Sequence, residues 1–162
     1  MRSLIIKVVT AASIVSTTAF ASFGADQPVT KDDAVTMVKR AVSFIREQGS
    51  EKAYAEVTNR SGRFVDRDLY IVVLGLDGRV LAHGADWNLI GADRSQAKDL
   101  DGKLFVQERI ELAKKQASFW QNYQSKHPVS KDVQPKDMYC ERLNDTVVCG
   151  GVYTPLEPPG GC

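Results

Sequence analysis

The sequence predicts an α+β domain in which a long N-terminal helix packs on a five-stranded antiparallel sheet. Three observations support this prediction. An amphipathic segment comes first, a strongly apolar segment then leads through a tight turn into a partner strand, and two further strands near the end are joined by a two-residue turn. Strands joined by such short turns pair antiparallel, and a helix with one apolar face buries that face against a neighbouring layer.

Composition limits the class of protein. The chain has 162 residues, of which 43% are hydrophobic and 25% are charged, and its formal net charge is +1. These proportions are typical of a single globular domain and exclude low-complexity and wholly disordered chains. A nearly neutral chain without a long basic run gives no indication of nucleic acid binding.

The first residues have the pattern of a secretory signal peptide. Arg2 and Lys7 precede an uncharged, mostly apolar stretch over 8–21, which closes with Ala-Phe-Ala at Ala21. This stretch is shorter than the roughly 20 residues that a membrane-spanning helix needs, although an uncleaved anchor is the alternative. We therefore predict a signal peptide over 1–21, a periplasmic or secreted protein, and no membrane span after cleavage.

The helical part of the domain begins after a polar lead over 22–29. Thr30 stands three residues before Asp33, which is a variant of the capping box that starts a helix. Gly49 ends this first helix, and a second, shorter one is expected from Ser50. The apolar residues of the first helix recur at helical spacing and form one stripe: Ala34, Val35, Met37, Val38, Ala41, Val42, Phe44 and Ile45.

The strands are predicted from β-branched and aromatic runs. Leu69–Leu74 is apolar on both faces and is expected to be central, with its partner at Arg79–His83. A long connection and a helix at Lys103–Gln116 follow, and we expect them to roof the sheet face opposite the first helix and to enclose a small cavity. The remaining strands are Ser118–Tyr123, Met138–Leu143 and Thr146–Tyr153, with a polar loop over 124–134; the domain spans 30–154 and a Pro/Gly tail 155–162.

Two cysteines are expected to form a disulfide. The turn at 144–145 places Leu143 opposite Thr146, so that counting outward places Cys140 opposite Cys149 in a pair that is not hydrogen-bonded. Such a pair has Cα atoms about 4.5 Å apart, close to the short end of disulfide geometry, and an exported protein meets an oxidising environment. Two unpaired buried thiols are the alternative.

Signatures of catalysis and metal binding are missing from the sequence. It contains no Cys-x-x-Cys, no Gly-x-Ser-x-Gly and no phosphate-binding loop, and neither His83 nor His127 stands at metal-ligand spacing. We therefore expect no catalytic residue, no metal and no cofactor. Cys162 is either an unpaired thiol or the link between two chains of a dimer.

An aromatic and polar set is expected around the cavity. Tyr139 lies opposite Gly150 in the hairpin, and a glycine there leaves space for a ligand. Aromatic walls with a cationic group suit a small carboxylate, whereas the alternative is that these aromatics are core residues. The candidate ligand-binding residues are Tyr70, His83, Trp120, Tyr123, Lys136 and Tyr139.

The order and spacing of several segments resemble the single Cache domain family. The matching segments are 69–74, 76–83, 89–91, 101–103, Trp120-x-x-Tyr123, Pro135-Lys136-x-x-Tyr139 and 150–153. The resemblance implies a PAS-like five-stranded sheet and extracytoplasmic sensing of organic acids or amino acids without chemical conversion. It also implies that the six candidate residues face the ligand, with Lys136 as the partner of its carboxylate.

The chain departs from relatives of this kind in ways that bear on its partners. Gly84 stands where proline is usual, the cysteine pair is not part of the family pattern, and a kinase, cyclase or methyl-accepting module is missing. We therefore expect a soluble binding module that reports to a separate membrane receptor or kinase. A small exported hydrolase and a structural or interaction protein that has lost its ligand are the alternatives.

Overall fold

The structure is a computed structural model, and it describes residues 27–154. The predicted signal peptide over 1–21, the tail over 155–162 and the dimer through Cys162 therefore lie outside the described residues.

The described residues form three α-helices, as the sequence predicts. They are α1 (Lys31–Gln48), α2 (Ser50–Thr58) and α3 (Phe105–Lys115). Thr30 caps α1 reciprocally with Asp33: the threonine hydroxyl accepts from the Asp33 amide, and the carboxylate accepts from the Thr30 amide. Each bond satisfies an amide that the first helical turn leaves unpaired.

Between residues 27 and 154, six strands form one antiparallel sheet in the order β1-β2-β6-β5-β4, and β3 pairs with β2. β2 is central, with β6 on one side and β3 on the other, and all seven of its residues are buried. The strand bounds are Val65–Asp66 for β1, Leu69–Gly75 for β2, Val80–His83 for β3, Ser118–Lys126 for β4, Val133–Leu143 for β5 and Thr146–Tyr153 for β6.

The sheet is more extensive than the sequence predicts. The two-residue strand β1 was not expected, and the polar loop predicted over 124–134 is shorter. Gln124, Ser125 and Lys126 continue β4 and pair with the start of β5. Pairing with a neighbouring strand overrides the weak strand propensity of these polar residues.

The two faces of the sheet build two separate cores. On one face, α1 packs Val38 and Val42 against Ile71 and Val148. On the other face, α3 and the segment between β3 and α3 cover a second apolar cluster that includes Val72, Val106, Ile110 and Met138. The roofed arrangement expected from the sequence is therefore present.

The cross-strand disulfide is also confirmed. Cys140 lies opposite Cys149 in the β5–β6 register, their Cα atoms are 4.2 Å apart, and the two sulfurs are bonded. Within residues 27–154, none of the helices is both long and apolar enough to cross a bilayer.

Candidate functional site

A cavity of about 540 Å³ lies on the sheet face opposite α1. The floor comes from β2, β4 and β5, one wall from α3, and the roof from the segment that follows β3. This volume falls within the roughly 300–1,000 Å³ of small-molecule sites. The lining residues that matter for its chemistry are Tyr70, His83, Arg94, Phe105, Arg109 and Tyr123.

The cavity brings together only part of the set predicted from the sequence. Tyr70, His83 and Tyr123 line it. Trp120 and Tyr139 lie on the other face of the sheet: the Trp120 ring packs against Tyr139 and under the Lys31 ammonium of α1. Side chains alternate between faces along a strand, so residues three apart, such as Trp120 and Tyr123, point to opposite faces.

The space expected opposite Tyr139 is filled by the first helix. A Cβ built on Gly150 would lie 3.2 Å from Val38 Cγ2 of α1 and 3.1 Å from Ile71 Cδ1. Gly150 therefore allows α1 to approach the sheet closely, and it does not open room for a ligand. This corrects the expectation drawn from the Tyr139–Gly150 pair.

Lys136 lies directly beneath the cavity wall and is fully buried. Its Nζ atom donates to the Tyr153 hydroxyl over 3.2 Å. The same atom lies 4.0 Å from the centre of the Tyr70 ring and 4.3 Å from that of Tyr153. Two aromatic faces and one hydroxyl thus surround the ammonium, an arrangement that favours a cation electrostatically.

The electrostatics of this cluster follow from burial. Burial lowers the pKa of Lys136 well below its usual value, and the positive charge of Arg109 lowers it further. Burial also raises the pKa of Tyr153 to about 12 and that of Tyr70 well above its usual value. Tyr70 and Tyr153 are therefore neutral hydroxyls at physiological pH, and their oxygens are 3.1 Å apart.

His83 is held as a neutral imidazole. Its Nδ1 accepts from the backbone amides of Ala85 and Asp86, at 3.2 and 2.9 Å, so the ring proton resides on Nε2. Burial lowers the pKa of His83 to about 4, and the charge of Lys136 contributes to this shift. The residue can therefore donate one hydrogen bond from a fixed ring.

Arg109 of α3 is a site residue that sequence reasoning missed. Its side chain lines the cavity although the residue is only 3% exposed. Nε donates to Gln121 Oε1 over 3.0 Å, while Nη2 is buried and has no partner among the described residues. The guanidinium also lies 5.3 Å from the centre of the Tyr123 ring.

A sequence signal for Arg109 exists. Val106, Ile110 and Ala113 form the buried stripe of α3, and Arg109 falls within that stripe at i+3 from Val106. A charged residue on the apolar face of a helix is seldom buried without a partner. An arginine at such a position is therefore a candidate for binding an anion.

Comparison with known proteins identifies the family of this fold. The model of the family "Single Cache domain 2" matches residues 6–154. A search of curated proteins found no significant match.

Three solved structures share this fold with the chain. A methyl-accepting chemotaxis protein from Vibrio parahaemolyticus is 23% identical, with a TM-score of 0.65 over 76% of this chain and 87% of that one. The periplasmic sensor domain of a chemotaxis protein is 23% identical, with a TM-score of 0.62 and 76% and 90% coverage. A Cache chemosensory domain described for carboxylic acid recognition is 21% identical, with a TM-score of 0.65 and 76% and 92% coverage.

Proposed function

The chain belongs to the single Cache domain 2 family, whose members are ligand-sensing domains, and from that premise we propose that its cavity binds a small organic acid. The observation that supports this most directly is Arg109, a buried guanidinium at the cavity wall whose Nη2 atom has no hydrogen-bond partner within residues 27–154. A buried unsatisfied donor is costly, and a ligand oxygen would satisfy it. A carboxylate would also supply the negative charge that this part of the cavity lacks.

Neighbouring side chains hold Arg109 ready for such a contact. Gln121 Nε2 donates to the Phe105 carbonyl over 2.7 Å and to Glu108, which directs the Gln121 carbonyl toward Arg109. The guanidinium also lies over the Tyr123 ring, which restricts its movement. Pre-organisation of this kind reduces the entropy lost on binding.

We propose separate roles for the remaining cavity residues. Tyr70, His83 and Tyr123 form the wall against the ligand, and the Nε2 proton of His83 is available for one hydrogen bond. Lys136 lies behind the Tyr70 ring and acts through its charge and through Tyr153. The combination of a cation, hydroxyls and rings favours a small carboxylate over a neutral polar molecule.

Binding is proposed to proceed without conversion of the ligand. His83 Nδ1, which would have to act as a general base, already accepts two backbone amides. The carboxylic acid recognition described for one structural relative is consistent with this assignment.

Titration calorimetry with acetate, propanoate and butanoate tests the proposal, and propanamide serves as the uncharged control. We expect propanoate to bind and propanamide not to bind, and Arg109→Gln to weaken propanoate binding at least tenfold. Arg109→Lys keeps the positive charge but loses the planar guanidinium, so its propanoate affinity should lie between those of the wild type and Arg109→Gln. Trp120→Ala, on the opposite face, is the matched control and should bind like the wild type. Failure of every acid to bind, or equal binding of propanamide, would refute the proposal.

We also propose that the protein works outside the cytoplasm and reports ligand occupancy to a membrane receptor or kinase. Family membership supports an extracytoplasmic location, because Cache domains are extracytoplasmic sensor domains. Cell fractionation and the intact mass of the exported protein test the location. A mature chain that begins at Ser22 supports it, whereas a full-length cytoplasmic chain contradicts it.

A further inference from the structure

We propose that the ligand is a dicarboxylate and that Arg94, on the roof of the cavity, receives its second carboxylate. This inference rests on the proposed function, because it assigns the first carboxylate to Arg109. It adds a second anion-binding position and a preference for dicarboxylates over monocarboxylates, which a single carboxylate site would not show.

The cavity wall carries a large excess of positive charge. Its lining includes one acidic residue, Asp86, and Asp86 Oδ1 already accepts from the backbone and side-chain amides of Asn88. His127 Nε2 of the lining lies 3.3 Å from Asp68 Oδ2, and within residues 27–154 none of the arginines and lysines of the lining takes part in an ion pair. These residues are Arg60, Arg94, Lys98, Arg109, Lys126 and Lys131.

Arg94 is more buried than Lys98 and Lys126 of the lining, which are exposed, and its hydrogen bonding differs from that of Arg60 and Lys131. Its backbone is anchored by an amide that donates to the Gly78 carbonyl over 2.9 Å. Its side chain is half-buried in the cavity lining and makes no hydrogen bond to any described residue. Arg60 and Lys131, in contrast, donate to the backbone carbonyls of Ala85 and Pro128.

Arg94, in the segment that follows β3, and Arg109, on α3, line the same cavity. Both guanidinium groups act on the imidazole of His83, since the positive charge of each lowers its pKa. One carboxylate bound to Arg109 would leave the Arg94 charge uncompensated. A molecule with a carboxylate at each end compensates both, and the planar fork of each arginine matches that group.

The size of the cavity agrees with such a ligand. Its volume of about 540 Å³ leaves space beyond a two- or three-carbon acid that occupies only the Arg109 end. The open side of the cavity also carries exposed Lys98 and Lys126, which attract a dianion more strongly than a monoanion.

Titration calorimetry with butanedioate and butanoate, which have the same number of carbons, tests the inference. We expect the wild type to bind butanedioate at least tenfold more tightly than butanoate. Arg94→Gln should remove that preference by weakening butanedioate at least tenfold while butanoate changes less than twofold. Arg94→Lys should retain part of the preference. The matched control is Lys39→Gln on the exposed side of α1, which should leave both affinities unchanged.

The outcomes separate this inference from the proposed function. Equal binding of the two acids by the wild type, or an equal loss of both in Arg94→Gln, overturns the dicarboxylate assignment and leaves the carboxylate site standing. Failure of both acids to bind overturns the proposed function and this inference together. Circular dichroism melts of each variant show that a lost affinity does not come from unfolding.

Discussion

Lys136 and Tyr153 lie directly opposite each other in the β5–β6 pair, and the lysine ammonium donates to the tyrosine hydroxyl over 3.2 Å. Among the described residues, no carboxylate lies within ion-pair distance of this fully buried amine. The hydroxyl and the rings offset only part of the cost of removing an ammonium from water. Lys136 therefore lowers the stability of the ligand-free domain. Such destabilisation is expected of a residue that takes part in ligand binding.

Replacement of Lys136 by methionine should separate stability from binding. We expect Lys136→Met to raise the free energy of unfolding, because it removes the cost of keeping an ammonium away from water. The gain should be comparable with the about 1–4 kcal/mol found when buried ion pairs are replaced by apolar residues of similar volume. Propanoate affinity should fall, because the charge behind Tyr70 is lost. Urea denaturation and titration calorimetry measure the two effects.

The pH dependence of the same variant supplies its internal check. The pKa of Lys136 is lowered in the folded state, so the unfolded chain binds more protons and wild-type stability rises as pH increases toward the usual lysine value of 10.5. Lys136→Met should lose that rise, and Lys115→Met on the exposed end of α3 should keep it. A variant less stable than the wild type at neutral pH would contradict this account.

His83 should make the domain sensitive to mild acid. The pKa of its imidazole is about 4 in the folded state against 6.5 in the unfolded chain, so stability from this residue is complete above pH 6.5 and is lost as pH falls toward 4. The difference of 2.5 pH units at about 1.36 kcal/mol each corresponds to about 3 kcal/mol. Thermal melts between pH 7 and pH 4 measure it.

His83→Asn isolates this contribution from that of the carboxylates, which titrate in the same range. The asparagine oxygen can accept the amides of Ala85 and Asp86 in place of Nδ1, but the side chain does not ionise. Between pH 7 and pH 4, we expect the free energy of unfolding of the variant to fall by about 3 kcal/mol less than that of the wild type. Parallel losses in the two proteins would show that His83 has no part in acid sensitivity.

Much of the fold could be predicted from the sequence, because the local sequence signals agree with the tertiary arrangement. The stripe of α1, the capping pair Thr30 and Asp33, and the two-residue turn before Thr146 each determine one element or one register. The disulfide followed from that register together with the oxidising environment expected for an exported protein. The short strand β1 has no such signal, because Val65–Asp66 is too brief for a periodic pattern and depends on its pairing with β2.

The candidate site was only partly predictable. The places of Tyr70, His83 and Tyr123 in the cavity lining were predictable because these residues are aromatic and lie on strands that face the roof. Spacing alone could have excluded Trp120 and Tyr139 from this face of the sheet. Trp120 is three residues from Tyr123 and Tyr139 is three from Lys136, and residues three apart on a strand point to opposite faces. Arg94 required the structure, because its segment has no regular periodicity that would show where its side chain lies.

Reduction of the disulfide should destabilise the domain moderately. The cross-link between Cys140 and Cys149 closes a loop with a sequence separation of 9, for which chain entropy gives a stabilisation of about 2–3 kcal/mol. We expect urea denaturation with and without dithiothreitol to differ by that amount. A Cys162→Ser background removes exchange with the third thiol, and identical unfolding curves would contradict the prediction.

Gly150 and Gly151 are consecutive residues of β6 that face opposite sides of the sheet, and alanine at each should have a different effect. The Cβ of Gly150→Ala would meet side-chain atoms of Ile71 and Val38, at 3.1 and 3.2 Å, which can shift slightly. The Cβ of Gly151→Ala would lie 2.5 Å from the Asp137 backbone oxygen and 3.1 Å from Lys136 Cε. The second substitution therefore disturbs both strand pairing and the amine beneath the cavity.

We expect Gly150→Ala to lower the free energy of unfolding by about 1–3 kcal/mol, the range for an overpacked core, and to leave propanoate affinity unchanged. Gly151→Ala should lower the free energy of unfolding further than Gly150→Ala does. It should also weaken propanoate binding, because it displaces Lys136. Urea denaturation and titration calorimetry of the two variants, compared with each other, provide the matched control. If Gly150→Ala weakened binding as much as Gly151→Ala did, the ligand would depend on the α1 face, and the assignment of the cavity to the α3 face would be wrong.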